Sequence, residues 1–275
     1  MPRWAGVIGA GPMGVWLARH LRKLGYRVIL YDLKSDLARR EANRIGCLWA
    51  KSMDQLGENI QLVLVAVGSE NAASTILQLS GILQPHANII DISSVKSPVV
   101  QGLRSLSRRD LVIALSHPLF GPGASFVKGK TIVFTPFRDK RRELNLLRRF
   151  FRDARLLTLG YREHDLLMAH CMAVPRLATL SLMMIWVGMK SLDLTTSQKA
   201  FTLAASTMLT ESPKLFTEII KLNPYTGEAL DEFLEKVNDL SAQDREKLEA
   251  HLKRLTTRIP RIRELYGMAY GLLDG

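Results

Sequence analysis

Hydrophobic positions along the chain follow two periods, and the change between them falls near residue 160. In the first part, short apolar runs alternate with amphipathic stretches. WAGVIG (4–9), RVILYD (27–32), QLVLVAV (61–67), NIIDIS (88–93), DLVIAL (110–115), KTIVFTP (130–136) and RLLTLG (155–160) read as strands. Between them, GVWLARHLRKLG (14–25), closed by Gly25, and the stretches around 35–45 and 70–81 read as helices. An arginine-rich helix over 141–155 places Leu144, Leu147 and Phe151 on one face. Strands that are apolar along nearly their whole length must be covered on both faces. The pattern therefore predicts an α/β domain over residues 1–160, built on a doubly wound, mostly parallel sheet.

After Gly160 no strand pattern continues. HDLLMAHCMAVPRLATLSLMMIWVGMK is long and apolar, and QKAFTLAASTMLT and PKLFTEIIK are helical. In ALDEFLEKVNDL, Leu230, Phe233, Leu234 and Val237 recur at helical spacing. Ser241, with Asp244 three residues on, reads as a cap that opens a helix striped by Leu248, Leu252, Leu255 and Ile259. An all-helical domain over 161–275 is expected. Its most apolar segment, residues 177–189, has thirteen residues, short of the roughly 20 that cross a bilayer. No membrane insertion is expected; a helix apolar all round belongs in a core or a subunit interface.

The net charge of +12 raises the question of a polyanionic partner. No zinc-finger, RNP or KH signature accompanies it, and the arginines of 141–155 lie off the apolar face. A solvated basic surface is expected, without nucleic acid, and compatible with a small anionic substrate. Cys47 and Cys171 form neither a metal spacing nor a disulfide framework, and the N-terminal residues lack a signal-peptide pattern. A cytoplasmic protein without a metal is expected.

Two constellations carry chemistry. VIGAGPMG gives Gly9-x-Gly11-x-x-Gly14 between a strand and a helix, and the second strand ends at Asp32, 18 residues past Gly14. Gly9 makes the tight turn, Gly11 lets the backbone approach a pyrophosphate, and Gly14 allows close helix packing. The helix that starts at Pro12, which itself has no N–H, supplies free N–H groups for phosphate from Met13 onward. This is a Rossmann-type dinucleotide site. Asp32 selects NAD by accepting the ribose hydroxyls, while Lys34, Ser35, Arg39 and Arg40 leave NADP possible.

The second constellation follows the fourth and fifth strands, where open α/β sheets place their ligands. DISSVKSP offers Ser93, Ser94 and Lys96; SHPLFGP offers Ser116 and His117 in a loop shaped by proline and glycine. An imidazole titrates near neutrality and suits the proton of an alcohol losing hydride. Ser94 can bond the same hydroxyl or orient the ring. The competing reading is a satisfied loop histidine with helix-capping serines. His164 and Asp165 read as caps of the first helix of the second domain, and His170 as a packed residue.

GAGPMG, DISSVKSP with its S-V-K core, HPLFGP and the EHD of 163–165, in this order and spacing, resemble the prephenate dehydrogenase family, which includes arogenate and cyclohexadienyl dehydrogenases. The resemblance covers the α/β domain well and the helical domain loosely. It implies oxidative decarboxylation of prephenate to 4-hydroxyphenylpyruvate in tyrosine biosynthesis, with His117 deprotonating the C4 hydroxyl and Ser94 assisting. It also implies a homodimer formed through the helical domain. One departure stands out. The family arginine that holds a substrate carboxylate maps to Thr207, so Arg176, with Lys96 and Lys214 as alternatives, is the expected substitute. Other readings are arogenate as substrate, a hydroxyacid or imino-acid dehydrogenase, and a dinucleotide-binding redox sensor.

Overall fold

The computed structural model describes residues 3–57, 60–189 and 195–273. The chain divides into two compact units, Met1–Leu167 and Met168–Gly275. Strands β1 (Arg3–Ile8), β2 (Tyr26–Tyr31), β3 (Leu48–Trp49), β4 (Leu62–Val65), β5 (Asn88–Asp91), β6 (Val112–Pro118), β7 (Thr131–Thr135) and β8 (Arg155–Thr158) form one sheet in the first unit. Its order is β3-β2-β1-β4-β5-β6-β7-β8, and every neighbouring pair is parallel except β6 with β7. Strand order reverses between β1 and β4, the switch point outside which such sheets bind ligands.

Helices α1 (Pro12–Lys23), α2 (Ser35–Ile45), α3 (Ser69–Ile82), α4 (Ser97–Gly102) and α5 (Lys140–Phe150) accompany the strands. Alternate strand residues feed two separate cores. Leu30, Leu64, Ile90 and Phe134 pack with Leu17 and Leu21 of α1 and Leu147 of α5. Val63, Val65, Ile89 and Ile113 pack with Ile76 and Leu79 of α3. Full burial of each such leucine or isoleucine is worth about 1.5–3 kcal/mol, so both faces hold the sheet. On α5 the arginines Arg141, Arg142, Arg148 and Arg149 are exposed and Leu146, Leu147 and Phe150 are buried. Of the expected apolar face, Leu147 is buried in the helix, Leu144 only half-buried, and Phe151 buried just past the helix, which ends at Phe150 rather than at 155.

Two details of the sheet differ from the sequence reading. The two-residue β3 is too short to leave a periodic signal. The fifth predicted strand does not stop at Leu115. It continues through Ser116, His117 and Pro118, because β7 runs antiparallel beside it and pairs His117 with Val133 and Pro118 with Ile132. His117 is thus a strand residue, and Pro118, which has no N–H, sits at the strand's last position where its loss is tolerated. The shaped loop begins only at Leu119. Trp16 of α1 pins it, donating from Nε1 to the carbonyl of Ala124 at 2.5 Å and packing edge-on against Phe120.

In the second unit, α6 (Tyr161–Met168) leads through a π-helical stretch, Ala169–Ala173, into α7 (Val174–Gly188). Then follow α8 (Thr196–Leu209), α9 (Pro213–Leu222), α10 (Thr226–Ser241), α11 (Arg245–Arg258) and α12 (Ile262–Leu273). The contact boundary after Leu167 falls later than the change of period at residue 160, because the first two turns of α6 belong to the sheet unit. Ser241 is the last residue of α10 and donates back to the Asn238 carbonyl; Asp244 alone caps α11, accepting from the Lys247 N–H. The helical unit buries small clusters, Ala173 with Phe216, Ile219 and Ile220, and Ala169 with Val174 and Ala229.

The helical run Tyr161–Gly188 has 28 residues and is long and apolar enough to cross a membrane by length and composition. The thirteen-residue argument against insertion therefore fails. A different one replaces it: the first two turns carry His164 and Asp165, both fully buried in the sheet unit, and Arg176 in the middle is buried and ion-paired. Charged groups so placed are costly in hydrocarbon.

Candidate active site

β1 delivers the glycine loop to the carboxyl edge of the sheet. Gly9 has φ of 101°, and a Cβ there would lie 2.4 Å from the Ala66 carbonyl oxygen. A Cβ on Gly14 would lie 1.8 Å from the Gly9 oxygen, so only glycine lets α1 sit this close to the strand. A Cβ on Gly11 would meet nothing within 4 Å; it would fill open space. Gly11 is the N-cap of α1, Pro12 opens the helix, Met13 packs partly against the core, and no side chain caps the first turn. These features form an open cradle for an anion at a helix N-terminus.

Asp32 follows β2 and braces this loop. Its Oδ2 accepts the Ala10 N–H at 2.8 Å and its Oδ1 the Lys34 N–H at 2.9 Å. Each oxygen keeps a lone pair for a further donor. The adjoining cleft of ≈ 390 Å³ is lined by Ala10, Gly11, Pro12, Trp16, Arg19, Arg40 and Pro122, among others. Of the nearby arginines, Arg39 pairs with Asp36, and Arg40 and Arg44 with Glu41, while Arg19 has no acidic partner among the described residues. The cradle and the carboxylate fit a dinucleotide with unmodified ribose hydroxyls.

The second centre lies at the ends of β5 and β6. Lys96 is fully buried and spends its ammonium on Asp91 Oδ2 at 2.5 Å, Ser93 Oγ at 3.0 Å and the Ser116 carbonyl at 2.7 Å. Ser93 also donates to Asp91, and Ser116 Oγ donates to the Asp91 carbonyl. Burial drives the Lys96 pKa down, with Asp91 opposing. This network locks two neighbouring strand ends together. Ser94, expected beside His117, is half-buried, and its side chain makes no hydrogen bond to a described residue.

His117 is buried. Its Nδ1 lies 3.0 Å from Nε2 of His164, and His164 Nδ1 lies 2.7 Å from Asp165 Oδ1. Asp165 also accepts the backbone N–H of Lys96 at 2.8 Å and of Ser97 at 2.7 Å. The reading of His164 and Asp165 as caps of their own helix is therefore corrected. Glu163 serves that helix, accepting the Gly160 N–H, while Asp165 caps α4. Burial pushes the His164 pKa down, against the Asp165 hydrogen bond. Burial raises Asp165, but its bonds from His164, Lys96 and Ser97 outweigh this and hold it below the usual carboxylate value.

The cations expected to meet a substrate carboxylate are differently placed. Arg176 is buried in the helical unit, with Nη2 at 2.8 Å from both carboxylate oxygens of Glu211 and Nη1 on the Met172 carbonyl. Lys214 is exposed in the first turn of α9. Thr207, at the family arginine position, is exposed and bonds the Ala204 carbonyl. His170 is exposed rather than packed and pairs with Glu232 at 2.9 Å.

The nucleotide-binding domain model of prephenate dehydrogenase matches residues 17–156, half of the chain. The chain belongs to the prephenate dehydrogenase family. Ser94, Lys96 and His117 lie inside the matched stretch; the glycine loop precedes it. A probable arogenate/prephenate dehydrogenase of Methanocaldococcus jannaschii is 21% identical over 246 residues, covering 85% of this chain and 54% of that protein. The chain thus spans about half the length of that relative. Among solved structures, prephenate dehydrogenase from A. aeolicus, in complex with hydroxyphenyl propionate and NAD⁺, superposes with a TM-score of 0.79 at 20% identity, covering 94% of this chain and 97% of that one. Synechocystis arogenate dehydrogenase gives 0.69 at 20%, covering 96% and 99%. Mycobacterium tuberculosis 3-hydroxyisobutyrate dehydrogenase gives 0.54 at 14%, covering 91% of each chain. At these identities the likeness establishes the fold, and it is greater to the prephenate and arogenate enzymes.

Proposed function

We propose that the protein is an NAD-dependent dehydrogenase that converts prephenate to 4-hydroxyphenylpyruvate and CO2 in tyrosine biosynthesis. The observation that carries this reading is His117, buried at the carboxyl end of β6 in the family's nucleotide-binding sheet and backed by a second histidine. When bound, NAD⁺ supplies the acceptor of the hydride that leaves C4. The chain's own residues do the rest. The α1 N-terminus and Gly11 receive the pyrophosphate, and Asp32 accepts the ribose hydroxyls. A 2′-phosphate would meet the Asp32 carboxylate while Arg39, Arg40 and Arg44 stay paired with acids, which supports NAD over NADP.

His117 takes the C4 hydroxyl proton as the C4–H electron pair departs, and Ser94 bonds the same hydroxyl. The ring carboxylate then leaves as CO2, its bonding electrons passing through the ring to oxygen. The proton returns there as the ring becomes aromatic. Lys96, with its three donors spent internally, acts by fixing the strand ends rather than by binding substrate.

Arogenate is the second reading: the relative from Methanocaldococcus jannaschii is named for both substrates, and Synechocystis arogenate dehydrogenase shares the fold. The exposed apolar residues of α7 support a homodimer formed through the helical unit. A cytoplasmic location is part of the proposal, supported by the free Cys47 and Cys171. Turnover assays with prephenate and arogenate, each with NAD⁺ and NADP⁺, test the reading. Reduction of NAD⁺ with one of the two substrates is expected; no turnover in all four combinations overturns it.

A further inference from the structure

The buried row from His117 to Asp165 contains two groups that the proposed reaction does not touch. Asp165 already accepts two backbone N–H groups, from Lys96 and Ser97, so its carboxylate acts as an acceptor. The hydrogen between it and His164 therefore sits on His164 Nδ1. A neutral His164 with that proton has its lone pair on Nε2, and the hydrogen in the 3.0 Å contact must then come from His117 Nδ1. We propose that His164 and Asp165 are positioning residues that hold His117 as its Nδ1–H tautomer, leaving Nε2 as the nitrogen that accepts the substrate proton. This deepens the reading of His117 as the base and rests on it.

The surroundings agree with a neutral His164. The charged and titratable groups facing it are Asp165 on its own helix, Asp91 at the end of β5, Lys96 just beyond it, and His117 on β6. Burial and Lys96 disfavour a second proton on the ring, and they prevail over the two carboxylates. Because Asp165 is anchored to the start of α4, the same carboxylate that selects the tautomer also fixes the ring to the segment carrying Lys96. When His117 becomes an imidazolium, its Nδ1–H bond to His164 becomes charge-assisted.

Asp165→Asn removes the carboxylate charge that holds the hydrogen on His164 Nδ1 and sets an amide N–H against a backbone donor, while keeping the side-chain shape. It should lower kcat by roughly 10²-fold or more, the direction seen when a triad aspartate is made an amide, with NAD⁺ affinity unchanged. Asp165 also caps α4, so a second pair of variants guards against misfolding. His164→Gln can still accept from His117 Nδ1 and should retain at least about tenfold more kcat than His164→Leu, since an accepting oxygen preserves the tautomer. In a His117→Asn background, His164→Leu should cost nothing further, because residues acting through one group are not additive. Multiplied losses in the double variant overturn the proposal. Imidazole nitrogen NMR of the wild type reads the tautomer without any need for turnover. Protonation of His117 at Nδ1 at mildly alkaline pH is expected, and protonation at Nε2 overturns the inference. If that spectrum is as expected while neither substrate is turned over, the tautomer stands and the proposed reaction fails.

Discussion

Leu64 and Ile89 of the α/β unit expose 1% and 0% of their surface; Met184 and Ile185 of the helical unit expose 66% and 57%. Both pairs sit in stretches that are apolar in sequence. The sheet is covered by helices drawn from its own unit, and its buried Lys96 ammonium has three partners within that unit, although Thr135 Oγ1 of β7 has none among the described residues. The helical unit buries small clusters and leaves the outer faces of α7 and α11 uncovered by its own residues. Apolar sequence thus means a finished core in one unit and an open surface in the other, which in the proposed homodimer a second copy covers.

The sharpest way to break this comparison is to empty one partner from each unit's buried ion pair. Lys96→Met leaves Asp91 buried and uncompensated, and should cost about 3–5 kcal/mol in urea unfolding. Arg176→Met leaves Glu211, which is partly exposed, and should cost about 2 kcal/mol or less, since solvent screens the residual charge. Equal costs would mean that the helical unit is as closed as the sheet.

The open surface is tested next. Met184→Glu combined with Ile185→Glu should weaken self-association by roughly 10²-fold or more, about 2.7 kcal/mol. Light scattering at micromolar concentration should find the wild type dimeric and the variant monomeric, with NAD⁺ binding intact. A monomeric wild type removes the dimer.

Within the α/β unit, Asp32→Ala removes hydrogen bonds to a charged acceptor, each worth about 1.5–3 kcal/mol, and frees the Ala10 N–H it braces. NAD⁺ affinity should fall by about tenfold or more and the preference over NADP⁺ should relax; tighter NADP⁺ binding by the wild type contradicts the assignment. The smallest effect is on pH. The folded pKa of His164 is lowered, so below about 6.5 the unfolded chain takes up a proton that the native ring refuses. Stability should therefore fall on acidification by up to about 1.4 kcal/mol per pH unit until the folded value is reached. Asp165 acts in the same sense at lower pH, its contribution being lost as pH falls through its lowered pKa. Urea midpoints at pH 7.5 and 5.5 compare the wild type with His164→Gln, whose slope should be flatter.

The sequence displays what is local. The apolar runs of the sheet, the glycine loop and Asp32 are visible because each is set by neighbours within a strand–turn–helix unit. His164 and Asp165 are visible only as polar residues at a helix start, where capping is the ordinary expectation. Their partners lie 47 and 69 residues away, at His117 and at the backbone of Lys96. The available signal is two polar residues in succession near the start of α6, following strands that carry Asp91 and His117 at or next to their carboxyl ends. The exposure of α7 is equally hidden, since an apolar helix reads alike whether its own chain or another covers it.

The most direct test is the turnover of His117→Asn with the better of prephenate and arogenate and saturating NAD⁺. Asparagine keeps a polar side chain at the end of β6 and cannot take the proton. A fall in kcat of about 10²–10⁴, the range for removing a general base, with NAD⁺ affinity unchanged, is the expected result. A loss below about tenfold would contradict the account, and His117 would then only complete the strand that carries it.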